Sequence, residues 1–149
     1  MTTKGYDTVT NENVYAFFSI GPKGTIPMIV KFTRLEQRVY NVALGWYNQK
    51  LKIYDDNNLT GNGDGMKIFQ TVANCIVDFL ERNTHASVHA EGNWIKKTKA
   101  YCLLLQRNYA AISNDYLLWA LNSEKGSWEE FKGECEKYLA FRTKQKTYK

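Results

Sequence analysis

The sequence predicts an α+β domain: a mostly antiparallel sheet, begun by an N-terminal four-stranded meander, with helices packed on one face and the order ββββ-α-β-α-β-α. Two observations predict it. Apolar residues recur at every second position up to about residue 54, and at three- and four-residue spacings from Asp64 onward. Tyr15, Phe17 and Ser19 alternate with Ala16, Phe18 and Ile20; Met28, Val30 and Phe32 share a face; Tyr40, Val42, Leu44 and Trp46 do the same. Gly21-Pro22-Lys23-Gly24 forms the first turn, since proline presets φ and glycine tolerates positive φ. Leu51 to Tyr54 is a short fourth strand before the turn-rich stretch DDNNLTGNGDG.

Ile68, Phe69, Val72, Cys75, Ile76, Phe79 and Leu80 then mark a helix, with Asp64 as its N-cap and Asn83 near its end. Ala86, Val88 and Ala90 alternate into a half-buried strand ending at Gly92. A helix over about Lys96 to Ile112 turns Tyr101, Leu104, Leu105 and Ile112 inward, and Tyr116 to Leu121 is a sixth strand. Ser127-Trp128-Glu129-Glu130 matches a capping box, predicting a last helix that buries Phe131, Cys135, Tyr138 and Leu139.

At 149 residues, with 44% hydrophobic and 23% charged side chains, residues 1–149 make one domain large enough for a core without staples; residues 1–12 and 143–149 are expected as flexible ends. No apolar run approaches the ~20 residues of a membrane span, and the first residues hold no apolar signal core. Cys75, Cys102 and Cys135 are odd in number and never closely paired, so they are expected as buried thiols in a reducing cytoplasm, with no zinc or other metal and no cofactor. The net charge is +5, and Arg142, Lys144, Lys146 and Lys149 account for four of those charges. The rest of the chain is close to neutral.

Several patterns together resemble a small bacterial, Bacteroidetes-type domain family of unknown function. They are Tyr15-x-Phe17-x-Ser19-x-Gly21-Pro22-Lys23-Gly24, Tyr40-Asn41 with Gly45, Asp55-Asp56 followed by Asn62-Gly63-Asp64 and Lys67, Gly92-Asn93 with Lys97-Thr98-x-x-Tyr101, and Trp128-Glu129-x-Phe131. The resemblance implies a compact domain and carries no activity. Asn93 stands where the family often has Ser, and Lys97 where it often has Arg. A lysine lacks the bidentate fork that arginine offers a phosphate.

The strongest constellation is Glu91 to Tyr101. A strand ends at Gly92 and a helix begins with Lys96, Lys97, Thr98 and Lys99 in its first turn. Helix N-termini carry partial positive charge, so lysines there are electrostatically mismatched unless an anion is bound. Gly92, Asn93, Trp94, Lys96, Lys97, Thr98, Lys99 and Tyr101 are therefore candidate ligand residues, with Trp94 or Tyr101 to stack on a base. Asn62, Asp64 and Lys67 of the glycine-rich turn are expected to help. Tyr47, opposite in face to Trp46 and near Lys50, is a further stacking candidate beside Lys31 and Lys52.

Two motif readings fail. As a calcium loop, residues 56–67 place Lys67 where a bidentate Glu is needed, and GNGDGMK lacks the spacing of a phosphate loop. His85 and His89 on a strand lie about 13 Å apart, too far to share a metal ion. His89 and Glu91 share a strand face and are the weak candidates for a catalytic base and its orienter, without a nucleophile placed beside them. The expected function is a non-catalytic binding domain for a phosphate-bearing ligand, either a nucleotide or a single-stranded nucleic acid. The alternatives are a protein-interaction module, such as an antitoxin, immunity or anti-defence protein, and a small hydrolase or nuclease.

Overall fold

The computed structural model of the chain describes residues 4–48, 52–55, 61–91, 95–131, 133, 135 and 138–146. The N-terminal third is a chain of antiparallel hairpins, as period-two patterning requires. Strand β1 (Val9–Asn11) pairs with β2 (Val14–Gly21), β2 with β3 (Gly24–Glu36), and β3 with β4 (Val39–Asn48). Gly24 takes φ +95° at the hairpin from Gly21, a conformation glycine adopts at no steric cost. Along β2, Tyr15, Phe17 and Ser19 are buried while Ala16, Phe18 and Ile20 are exposed. One sheet face therefore receives the core and the other lies away from it.

Strand β5 (Ile53–Asp55) pairs with the end of β4 at Trp46 to Asn48. Helix α1 (Gly65–Arg82) then crosses the core face, burying Ile68, Phe69, Val72, Cys75, Phe79 and Leu80. The Phe79 ring stacks on Phe32 with centroids 4.2 Å apart. This crossover returns the chain as β6 (Ser87–Ala90), parallel to β4 in the register Val39↔Ser87 to Val42↔Ala90. Helix α2 (Ile95–Arg107) and the single turn α3 (Tyr109–Ile112) follow, then β7 (Tyr116–Asn122), β8 (Ser127–Glu130) and β9 (Tyr138–Gln145). Among the described residues, nine strands make one sheet, ordered β1-β2-β3-β4-β6-β9-β7-β8, with β5 also on β4.

The α+β class, the meander and the core-face helices are as the sequence predicts. The last element is not. The expected capping-box helix is instead β8, an edge strand, and β9, which is paired on both sides by β6 and β7. Two ladders satisfy every peptide group a central strand presents, and that outweighs the local helical spacing of Phe131, Cys135 and Tyr138. Leu139, expected inside, is 52% exposed. The expected flexible ends also carry strand: β1 spans Val9–Asn11 and β9 continues to Gln145. The expected helix over 96–112 breaks at Asn108, whose side-chain amide donates to the Leu104 carbonyl at 2.8 Å.

The cysteines also differ from expectation. Cys75 is a free buried thiol, whereas Cys102 on α2 and Cys135 before β9 are joined in a disulfide. With a separation of 33 residues, such a bridge stabilises by roughly 3–4 kcal/mol in the chain-entropy account.

Candidate functional site

Registers across the second half of the sheet bring one residue from each of five strands, β4, β6, β9, β7 and β8, into a row on the face away from α1. Asn41 on β4 opposes His89 on β6, His89 opposes Arg142 on β9, Arg142 opposes Trp119 on β7, and Trp119 opposes Glu130 on β8. Their neighbours Val42, Val88, Ala90, Phe141 and Ala120 are in the core, which fixes the row on the opposite face.

Arg142 is the centre of this row. Its Nε donates to His89 Nδ1 at 3.0 Å, and Nη1 lies 3.6 Å from Glu36 Oε1. The guanidinium sits over the Trp128 ring at 4.8 Å, within cation–π range, and the same ring meets His89 edge-on at 5.9 Å. Trp128 opposes Leu121, which in turn opposes Ala140, and this small residue is buried. Lys144 follows Arg142 on the same face of β9, opposite Ser87 and Leu117. Beside Trp119 opens a cavity of about 440 Å³, with Tyr109, Tyr116, Phe131, Glu130 and Lys146 among its walls.

His89 and Glu91 do meet, with Nε2 and Oε1 2.9 Å apart. Because Arg142 donates to Nδ1, that nitrogen is an acceptor and the ring proton sits on Nε2, donated to Glu91. Glu91 thus holds one side of the ring, as an orienter would, while the other ring nitrogen is occupied by Arg142.

The glycine-rich turn has become scaffold. Asn62 is buried, its amide donating to Ser19 Oγ and the Gly24 carbonyl at 3.0 Å each, while its Oδ1 accepts the Lys23 backbone N–H at 2.7 Å. Asp64 stands at the N-cap position of α1 without capping it. Its Oδ2 accepts the hydroxyls of Tyr6 and Ser19, each at 2.6 Å. Lys67 places its ammonium 4.3 Å from the centre of the Tyr6 ring. Asn62, Asp64 and Lys67 are thus brought together around the Gly21–Gly24 hairpin, remote in the strand order from Arg142.

The other sequence candidates divide. Gly92, Asn93 and Trp94, and the side chains of Lys96 and Lys97, lie outside the described residues. Thr98 is half-buried and Lys99 exposed on α2. Tyr101, expected to stack on a ligand, is 3% exposed and packs edge-on to Phe69 at 5.6 Å, so its ring belongs to the core. Tyr47 is half-buried at the β4–β5 pairing, in register with Tyr54. Sequence reasoning missed Arg142, Trp119 and Trp128 as site residues. The signal that could have found them is the alternation of Phe141 and Thr143 with Arg142 and Lys144, a strand pattern inside what looks like a basic tail.

Among the described residues, no group of three or more His, Cys, Asp or Glu side chains could hold a metal ion, and no helix is long and apolar enough to cross a membrane. No curated protein and no solved structure matches the chain. A family model does match over residues 2–146, nearly the whole length and both halves of the sheet: the chain belongs to the family of unknown function DUF6934.

Proposed function

We propose that the protein is a non-catalytic binding domain for a phosphate-bearing ligand, a nucleotide or a single-stranded nucleic acid, acting in the cytoplasm. The observation that carries this reading is Arg142. His89 holds its Nε, Trp128 covers one guanidinium face, and the carboxylate that meets Nη1 at 3.6 Å, Glu36, is an exposed side chain that an incoming phosphate would displace. A held guanidinium fork matches phosphate oxygens with little ordering left to pay for. Lys144 adds charge on the same face, and the cavity beside Trp119 offers aromatic walls to a base. This moves the phosphate contact from the start of α2 to the row on β9.

The test is a fluorescence-anisotropy titration of labelled single-stranded DNA and RNA at two salt concentrations, with unlabelled nucleotides as competitors. Salt-dependent binding is expected, weakened roughly tenfold or more in Arg142→Gln and only partly restored in Arg142→Lys. A Lys96→Ala/Lys97→Ala/Lys99→Ala chain separates this site from the helix terminus. Binding that this triple variant loses and Arg142→Gln keeps would overturn the assignment to β9, and no binding by the native chain would overturn the ligand class.

A second reading, a protein-interaction module, is favoured by the meander. Val9, Phe18 and Ile20 are large, apolar and exposed there. Phe18→Asp would abolish association with a protein partner while leaving nucleic-acid binding at Arg142 intact.

A further inference from the structure

We infer that the cleft between β1 and α1 is a second binding site, for a small neutral polyol of monosaccharide size. It stands apart from the phosphate reading, since β1 is the edge strand at the far end of the sheet from β8.

An inversion of pattern marks the cleft. A strand that covers a core turns its apolar side chains inward and its polar ones outward. On β1 Val9 is 76% exposed, while Thr8 and Thr10, the residues on either side of it, are half-buried and face the cleft. The helix opposite is polar there as well. Asn74, Asp78 and Arg82 recur at every fourth position of α1 and so lie along one stripe. With Thr8, Thr10 and Tyr15 they line a cavity of about 270 Å³. Polar groups placed where apolar packing would serve the fold better are the kind of broken local rule that accompanies function.

The hydrogen bonds that would close the cleft on itself are not made. Among the described residues, the Thr8 and Thr10 hydroxyls have no hydrogen-bond partner. Tyr15 is 1% exposed; its hydroxyl donates to Asp78 Oδ2 at 2.5 Å and accepts nothing from the described residues. Arg82 Nε meets the same carboxylate oxygen at 3.0 Å. Asp78 Oδ1 and the Nη groups of Arg82 therefore have no partner among the described residues.

These groups specify the guest. Asp78 and Arg82 neutralise each other, so the cleft favours neither an anion nor a cation. It presents an acceptor in Asp78, donors in Asn74 and Arg82, and hydroxyls that serve as either. Adjacent hydroxyls on one carbon frame match that mixture, because each can accept from the guanidinium or amide while donating to the carboxylate. The volume of about 270 Å³ lies just under the ~300 Å³ at which pockets for drug-sized ligands begin, which limits the guest to a single small ring and its hydroxyls.

The test is an amide NMR titration of the full chain with D-glucose, D-ribose and myo-inositol at millimolar concentrations, with cyclohexanol as a ring of like size bearing one hydroxyl. At least one polyol is expected to shift the amides of residues 7–10 and 74–82, and cyclohexanol to leave them in place. Thr8→Val/Thr10→Val keeps the shape and removes the hydroxyls, so it should weaken binding roughly fivefold or more while the urea midpoint stays or rises. Arg142→Gln should bind the polyol as the native chain does. No shift with any of the three polyols, or equal shifts with cyclohexanol, overturns the proposal. Binding that the valine variant keeps, or that Arg142→Gln loses, overturns its placement in the cleft. A urea midpoint that falls in the valine variant assigns the hydroxyls to the fold and overturns their role in binding.

Discussion

Gly21 shows how one missing side chain can hold two distant segments together. A Cβ at Gly21 would lie 1.9 Å from the Asn62 carbonyl oxygen and 2.9 Å from its side chain, so only glycine lets the hairpin and the 61–64 turn touch. Asn62 converts that contact into three hydrogen bonds, reaching Ser19, Lys23 and Gly24. Gly21→Ala is expected to destabilise the protein by about 1–3 kcal/mol through overpacking. Asn62→Ala should cost about as much, because buried donors and acceptors are left unpaired. Urea unfolding of both variants checks this, and since they act through one contact, the double variant should cost less than the sum. These residues were singled out by the sequence as turn and ligand candidates. Their pairing across 38 to 43 positions was not legible, because hydrogen bonds from a buried amide depend on tertiary approach and leave no periodic trace.

Among the elements, β9 carries the most consequence. Leu139 and Phe141 separate its strand geometry from the helix that local spacing suggests. A helix burying Cys135, Tyr138 and Leu139 would make Leu139→Ala costly. On β9 that side chain is exposed while Phe141 is in the core, ringed by Phe131 and Tyr138. Leu139→Ala is expected to change stability by less than about 0.5 kcal/mol, and Phe141→Ala to cost about 3–5 kcal/mol. Equal losses in thermal unfolding would contradict the strand. The meander and α1 were readable because their burial follows one period over a long run. β8 and β9 were not, because Phe131, Cys135 and Tyr138 satisfy helical spacing by coincidence, and the pairing with β6 and β7 that decides the matter is long-range. The candidate site shares that fate: its row was visible only in the pair His89 and Glu91, and its centre, Arg142, was hidden in an apparent tail.

For the molecule as a whole, buried hydroxyls and a thiol set the alkaline limit. Burial, with help from the 2.5 Å bond to Asp78, holds the Tyr15 hydroxyl well above the usual tyrosine value. Burial also raises Tyr6 and Tyr116 and pushes the Cys75 thiol up to about 12. In the unfolded chain these groups ionise near their ordinary values, about 8.5 for the thiol and 10 for the phenols. Stability from them is therefore complete below those values and is lost as pH rises through and beyond them, because the unfolded chain releases protons that the folded one keeps. The urea midpoint should fall steadily from about pH 9 upward, and Tyr15→Phe should flatten the fall; a midpoint constant to pH 11 would refute the assignment.

The sheet is continuous through four residue pairs, where β4 meets β6 in parallel. On one side of that seam each strand pairs with its neighbour in sequence, while on the other His89 must find Arg142 across 53 residues. The consequence is an order of assembly. Near pairings close at small loop-entropy cost, so the β2–β3–β4 hairpins lead and the seam follows after the rate-limiting barrier. Val30→Ala, inside the hairpins, should slow folding, whereas Val88→Ala, at the seam, should mainly hasten unfolding. A chevron with the two effects exchanged would reverse the order, and with it the expectation that a chain emerging from the ribosome has half of its sheet ready before the strand that carries Arg142 has been made.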